Sequence, residues 1–374
     1  MSAELANVTL ADDTVSLAQK ICYLNGIGGE GNDYDGRDGV RVSAVFVILA
    51  TSSFATFFPV LARRVRWFRI PLYGYLFARY FGAGVIIATA FIHLMDPAYS
   101  SIGPGTCVGV TSGWDSYSFV PAIMLTSVML LFLLDFGAKL FVEHKYGVVE
   151  DHAVHNPEAL ITSQADGTHT HNGHIHDAHH TPAPTKLSVS HDMESEPSLD
   201  SDLDEKTIQR SFHQQIAAFY ILEFGVIFHS VIIGLNLAVA GWEDFKVLYV
   251  VIVFHQSFEG LGVGARLSSI PFPRHLSWLP WALCAAYGLT TPLSIAIGLG
   301  VRTTYNPDSF TAQIVSGVLD ATSAGILLYT GLVELLAADF LFNPARTKSL
   351  KRLGFMVACV FLGALLMALL GKWA

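Results

Sequence analysis

Histidine and carboxylate side chains occur inside stretches that are otherwise apolar, and two of these stretches carry them at helical spacing. His255 and Glu259 are four residues apart in YVVIVFHQSFEGLGVGA, and His229 lies in FYILEFGVIFHSVIIGLNLAVAG. On a helix, residues four apart project from one face within about 6 Å of each other. A neutral imidazole and a carboxylate at that spacing supply half of a site for zinc or ferrous iron. His229, His255 and Glu259 are therefore the candidate metal ligands.

Further polar side chains accompany these ligands. Ser230 and Gln256 are each next to a candidate histidine, and Asn236 lies seven residues after His229, on the same helical face. Ionisable groups inside apolar segments are costly, and each is a candidate for an ion route. The residues that could complete the shell or line the route are Ser230, Asn236, Gln256, His93, Asp96, Glu223, Asp320 and Glu334. A single buried histidine could instead have only a structural role, a hydrogen bond between helices worth about 1 kcal/mol. Asp96 lies at the end of a segment and could simply be solvated.

The elements that position these residues are apolar segments long enough to cross a bilayer. The chain has 374 residues, 52% hydrophobic and 14% charged, whereas a typical soluble protein is about 25% charged. A bilayer core about 30 Å thick requires roughly 20 apolar residues in a helix. Eight windows satisfy this requirement, at residues 41–62, 73–95, 119–141, 212–240, 246–268, 277–300, 311–340 and 353–372. The sequence predicts an all-α integral membrane protein with eight transmembrane helices and excludes an ordinary soluble globule.

The positions of the positive charges predict the orientation of the spans. Arginines at residues 63–69 follow the first window, and Lys and Arg residues at 346–352 precede the last. Short loops rich in Lys and Arg stay in the cytoplasm, so both termini are extracellular. The formal net charge is −9, but residues 145–211 alone hold 12 Asp or Glu against 4 Lys or Arg. No basic face for nucleic acid remains.

This orientation divides the chain into four parts. They are an extracellular tail at 1–40, helices one to three within 41–141, a cytosolic loop at 142–211, and helices four to eight within 212–374. The loop is rich in polar residues and poor in large apolar ones, which predicts disorder. Its histidine tract consists of His169, His171, His174, His176, His179 and His180. Such tracts bind divalent metals weakly, and the alternative is an inert linker.

Smaller features complete the map of candidate sites. Asn7 begins the glycosylation sequon Asn7-Val8-Thr9. Cys22 in the tail and Cys107 in the loop after span two would share an oxidising compartment, where they could form a disulfide or stay free. In the cytosolic loop, Ser201 is a candidate for phosphorylation and Lys206 for ubiquitination.

Four segments resemble the ZIP (Zrt/Irt-like) divalent-metal transporters, particularly the fungal and plant plasma-membrane branch. They are HSVIIGLNL, HQSFEGLGVG, GVIIATAFIHLMDPA and SAGILLYTGLVELLAADF. The resemblance covers residues 41–141 and 212–372. It implies eight spans, extracellular termini, a His-rich loop between spans three and four, and metal held mid-membrane by spans four and five, with spans two and seven along the route. The residues that match its ligand positions are His229, His255 and Glu259, with Ser230 and Gln256 beside them.

The sequence departs from relatives that hold two metals through the motif HNxPEG in span four. Ile233 occupies the glutamate position of that motif, and the span-six segment YGLTTP has no carboxylate. Glu259 is then expected to be the sole carboxylate at the depth of the site. The sequence predicts one metal at a time.

The resemblance implies a plasma-membrane importer of Zn²⁺ rather than an enzyme, with no organic cofactor and with Fe²⁺ or Mn²⁺ preference as the alternatives. His93 and Asp96 are expected to gather the ion at the outer mouth, and Glu223 and Glu334 to pass it inward. Two other protein classes stay open. One is a membrane-embedded zinc hydrolase, although the sequence lacks the HExxH motif. The other is a metal-sensing receptor, which binds metal ions but does not transport them. The partners are divalent ions and the lipid bilayer; a homodimer and modifying enzymes acting on the loop are further alternatives.

Overall fold

Helices make up the framework of the molecule. The computed structural model describes residues 16–17, 20, 22, 32–64, 71–146, 199–343 and 346–373. Within these residues eight helices are long and apolar enough to cross a membrane, which confirms the predicted all-α fold. They are α1 Asp38–Arg64, α2 Leu72–Ile102, α3 Phe119–Tyr146, α4 Leu199–Val239, α5 Trp242–Ser269, α6 Leu279–Gly300, α7 Phe310–Phe340 and α8 Leu350–Leu370. Asn7 and the histidine tract at 169–180 lie outside the described residues.

Two helices extend into the segment predicted as the cytosolic loop. α3 continues to Tyr146 and α4 begins at Leu199, although their apolar spans cover only Phe119–Phe141 and Gln215–Val239. The start of α4 reads LDSDLDEKTIQR, which contains several good helix formers such as Leu, Glu, Lys, Gln and Arg. Hydropathy marks the part of a helix that crosses the membrane, and a helix can continue beyond it into water.

Packing around α5 brings the predicted site helices together. α5 packs against α1 and α2, α6 against α1 and α4, α7 against α2, α3 and α4, and α8 against α2. At the crossing of α2 and α5, a Cβ atom added to Gly82 would lie 2.2 Å from Gly262 Cα. The two backbones therefore touch, which only glycine permits. This approach brings the polar face of α2 next to that of α5.

Both helices predicted to line the route contain a π-helical segment. These segments are Thr89–Met95 in α2 and Thr330–Ala337 in α7. A π-turn inserts one residue into the helical repeat and re-aims the side chains that follow, and it occurs often at functional sites. His93 lies in the first segment and Glu334 in the second.

A buried arginine fixes the start of α1 to the end of α4. Arg41 is fully buried, and it donates hydrogen bonds to the carbonyls of Leu237, Ala238 and Ala240 and forms an ion pair with Asp35. The last carbonyls of a helix have no intrahelical partner, so the guanidinium satisfies groups that would otherwise be buried and unpaired. This contact holds the turn between the two helices that carry the candidate ligands.

A disulfide ties the N-terminal tail to the segment after α2. It joins Cys22 to Cys107, the pair considered from the sequence, and Phe310 at the start of α7 packs against it. Cys284 and Cys359 are unpaired and buried.

Candidate metal centre

The three candidate ligands lie together, His229 near the middle of the apolar span Gln215–Val239 of α4 and the other two near the middle of α5. Nε2 of His255 is 3.3 Å from Oε1 of Glu259, and the ring centroids of His229 and His255 are 5.5 Å apart. All three side chains are buried. The helical spacing of His255 and Glu259 thus places them in contact, and the packing of α4 beside α5 adds the third residue.

Several atoms of these side chains are buried without a hydrogen-bond partner among the described residues. They include both ring nitrogens of His229, Nε2 of His255 and Oε2 of Glu259. Buried polar groups are nearly always paired, because each unpaired one costs about 1–3 kcal/mol. A concentration of lone pairs at one point is suited to a cation. In the described part of the chain, no three His, Cys, Asp or Glu side chains are placed to hold a metal as they stand, so metal binding at this point requires the side chains to rotate.

His93 lies with His229, His255 and Glu259, and these four residues, together with Asp320 of α7, are called the central cluster below. The predicted place of His93 at the outer mouth is wrong. Its ring centroid is 4.7 Å from that of His255. The predicted span ended at residue 95, whereas α2 continues to Ile102, so His93 lies more than two turns before the helix end. Its Nε2 is 3.0 Å from the carbonyl oxygen of Met367 on α8. Because a carbonyl only accepts, Nε2 carries the hydrogen and Nδ1 keeps the lone pair. Asp96, one turn further on, is exposed.

Asp320 of α7 brings a second carboxylate to the same depth. Its Oδ1 is 3.6 Å from Nδ1 of His229, is buried, and has no hydrogen-bond partner among the described residues. The expectation that Glu259 is the sole carboxylate at this depth is therefore wrong. Sequence spacing relates residues on one helix, and it does not give the relative depth of α4 and α7.

Thr89 is a contact that the sequence analysis missed. Its hydroxyl donates to Oε1 of Glu259 at 2.9 Å, from α2 to α5. Thr89 lies four residues before His93, on the same helical face, and this spacing was the available signal. The hydrogen bond orients the Glu259 carboxylate beside His255.

The neutral candidates divide into two groups. Ser230 and Gln256 are adjacent to the cluster and bonded to each other, with Nε2 of Gln256 donating to Oγ of Ser230 at 3.4 Å. The hydroxyl of Tyr287 donates to Oε1 of Gln256 at 3.0 Å. Asn236 is about two turns beyond the cluster, and its Oδ1 accepts a hydrogen bond from Tyr305 at 2.9 Å. It is not brought to the candidate ligands.

Comparison with known proteins identifies the family. Residues 38–371 match the family model described as ZIP Zinc transporter. The chain belongs to the ZIP family. It is 55% identical to Zinc-regulated transporter 1 of Saccharomyces cerevisiae, covering 99% of this chain and 96% of the relative. Zinc-regulated transporter 1 of Schizosaccharomyces pombe is 41% identical, over 93% of this chain and 88% of the relative. Zinc transporter 9 of Oryza sativa subsp. japonica is 34% identical, over 92% of each chain. No solved structure matches the chain.

In this ZIP protein a further buried acid lies between the central cluster and the N-terminal end of α4. Glu223 precedes His229 by six residues, about 9 Å along the helix. It is buried, and neither of its carboxylate oxygens has a hydrogen-bond partner among the described residues. In the predicted topology this is the cytosolic side of the cluster.

A cavity of about 520 Å³ occupies the same half of this ZIP protein, between α2, α3, α4, α5 and α7. Glu334 and Asp339 of α7 line it, and both are paired with arginines. Nη2 of Arg266 donates to Oε2 of Glu334 at 2.9 Å, and Arg79 donates two hydrogen bonds of 2.9 Å to Asp339. Glu334 therefore lies on the predicted inner route, but one of its carboxylate oxygens is already bonded to Arg266.

Proposed function

We propose that the protein imports Zn²⁺ into the cytosol across the plasma membrane, through a mid-membrane site formed by His93, His229, His255, Glu259 and Asp320. The observation that carries this proposal is the convergence of unpartnered buried nitrogen and oxygen atoms from separate spanning helices. Imidazole nitrogen and carboxylate oxygen are the atoms that zinc binds. The family description ZIP Zinc transporter and the relatives' names, Zinc-regulated transporter 1 and Zinc transporter 9, support zinc as the cargo.

Charge balance explains why the site carries two carboxylates. Ionised Glu259 and Asp320 together supply two negative charges, which match the two positive charges of the ion. In a low-dielectric interior an uncompensated charge is costly, so the loaded site is stable only when the charges cancel. The neutral imidazoles replace water molecules without altering that balance. A second divalent ion would have no charge to cancel it, which supports one metal at a time.

The route inward follows the polar groups below the cluster. Glu223 is the next acid along α4, and the 520 Å³ cavity lies beyond it, on the predicted cytosolic side. Residues 147–198, which carry the histidine tract, connect the ends of α3 and α4 on that same side. We propose that the ion passes Glu223 into the cavity and that the tract receives it afterwards.

The experiment is flux into sealed vesicles. Purified protein in proteoliposomes should accumulate radioactive zinc down a concentration gradient, with Fe²⁺ and Mn²⁺ added as competitors to rank the cargo. A metal-sensing receptor would bind zinc and move none, and a zinc hydrolase would likewise give no flux. Absence of uptake by correctly folded protein that binds zinc would overturn the proposal.

A further inference from the structure

The acidic side chains that line the inner cavity are all neutralised. Glu334 and Asp339 are paired with arginines, and Asp135 accepts hydrogen bonds from Lys139 at 2.7 Å and from the hydroxyl of Tyr329 at 3.0 Å. The carboxylates and the cations lining the described cavity are therefore equal in number. This balance is unexpected on the exit route of a divalent cation, where free carboxylates would attract the ion.

Arg266 is the cation best placed to act on a departing ion. It lies seven residues after Glu259 on α5, which is two turns along the same face and about 10 Å toward the cavity. Its side chain is 13% exposed. Nη2 of the guanidinium binds Glu334 of α7, while Nη1 is buried without a hydrogen-bond partner among the described residues. α5 thus carries both the candidate ligands His255 and Glu259 and the arginine that pairs with Glu334, the next acid on the proposed route.

The consequence for the ion follows from electrostatics. A free carboxylate in a narrow, partly desolvated cavity attracts a divalent ion strongly. Transport requires sites that are weak enough for the ion to leave. A guanidinium cannot lose its proton under physiological conditions, so a carboxylate bound to Arg266 is not available as a strong ligand.

We propose that Arg266 sets the rate of zinc release by keeping Glu334 occupied, so that the inner cavity passes the ion on and does not retain it. The inference rests on the proposed function, because it requires zinc to leave through this cavity. Arg266 is a positioning residue that acts through Glu334.

The other arginine pair has a different position. Arg79 and Asp339 join α2 to α7 through two hydrogen bonds, and the Asp339 side chain is only 4% exposed. Both carboxylate oxygens of Asp339 accept a hydrogen bond from Arg79, so neither is free for an ion. The Arg266–Glu334 pair instead connects the ligand-bearing α5 to α7, at a carboxylate that is 19% exposed and open to the cavity.

The test is a double-mutant cycle on zinc uptake in proteoliposomes. Arg266→Gln should lower maximal uptake at least fivefold. The half-saturating external zinc concentration should not rise. The purified variant should also retain one more ion than wild type through gel filtration. Glu334→Gln should also lower uptake, because it leaves an unpaired cation on the exit route. The double variant Arg266→Gln/Glu334→Gln should recover to at least half of wild type and lose the additional ion.

Lys246→Gln is the matched control, because it removes a cation of the same helix α5 whose ion pair with Glu243 is exposed at the other end of the helix, away from the cavity. Its uptake should stay within twofold of wild type. Normal uptake by Arg266→Gln, or a double variant no more active than either single variant, overturns the inference. If Arg266→Gln does not fold, the comparison of Glu334→Gln with the double variant decides. Loss of wild-type flux, or flux that does not depend on His255 and Glu259, would instead refute the proposed function.

Discussion

The central cluster and the inner cavity contain carboxylates in similar surroundings but with opposite partners. In the cluster, Glu259 and Asp320 face histidines at 3.3 Å and 3.6 Å, and atoms on both sides lack hydrogen bonds. In the cavity, Glu334 and Asp339 are bound by arginines at 2.9 Å. A neutral imidazole has a lone pair for a metal, whereas a guanidinium has none. In the proposed transport mechanism, the basic partner therefore determines whether an acid helps to bind the ion or lets it pass.

This difference has a cost in stability. Each unpartnered polar atom in the cluster is expected to cost about 1–3 kcal/mol, against a total stability of about 5–15 kcal/mol for a typical domain. Zinc binding recovers part of that cost, because the ion supplies the missing partner. Zinc should consequently stabilise the folded protein, and that stabilisation should depend on the cluster.

The largest expected effect comes from removing a ligand. His255→Ala and Glu259→Ala should each lower zinc uptake at least tenfold at equal surface abundance, because each takes one donor from a small shell. The measurement is radioactive zinc uptake into cells, normalised to surface protein. His275→Ala is the control, since it removes an exposed imidazole from the loop between α5 and α6. Uptake near the wild-type level in both cluster variants would show that the ion does not use this site.

Removal of the second carboxylate should have a somewhat smaller effect. Asp320→Asn keeps the shape of the side chain but leaves the loaded site with one uncancelled positive charge. We expect the half-saturating zinc concentration to rise about tenfold, with maximal uptake less affected. A concentration series of initial rates separates the two parameters. An unchanged half-saturating concentration would mean that Asp320 only orients His229.

The comparison also shows how far sequence reasoning extends. The eight spans and the contact of His255 with Glu259 could be predicted, because hydropathy and i,i+4 spacing are properties of a single helix. The central depth of His93, the contact of Asp320 with His229 and the pair of Arg266 with Glu334 could not. All three depend on how separate helices pack. His93 also depends on a helix end beyond the apolar window, and His93 and Glu334 lie in π-helical segments. The hydrophobic pattern records none of these features.

Acidification should weaken the cluster before it affects the cavity. A protonated imidazole cannot bind metal, so protons compete with zinc for the histidines of the cluster, whereas the cavity arginines stay charged. Uptake should therefore fall about threefold or more from pH 7 to pH 5.5. Zinc uptake into proteoliposomes, with the internal pH held at 7, measures this effect. Uptake that is constant or rises toward pH 5.5 would contradict a histidine-based site.

Orientation of Glu259 should contribute less than its presence. Thr89→Ala removes the hydrogen bond of 2.9 Å to Oε1 and should lower uptake about threefold to fivefold, because the carboxylate gains freedom to turn away from His255. Thr89→Ser keeps the hydroxyl and should retain most of the activity. Equal losses in the two variants would assign the effect to the lost methyl group and to packing between α2 and α5.

The smallest effect is expected from the histidine tract, whose sequence is too polar for a membrane span. Replacement of the six histidines of 169–180 by alanine should leave maximal uptake above about half of wild type, because the tract lies outside the spans and a polar segment of this kind adapts to metal without forming a fixed site. The isolated 145–211 peptide should bind less zinc after the same replacement, which calorimetry measures. Abolished uptake in the alanine variant at normal surface abundance would make the tract an obligatory part of the route.

Deletion of residues 147–198 should leave one ion per purified chain, bound by the central cluster alone. Two tightly held ions in the deletion variant would contradict a central cluster whose charge matches only one ion.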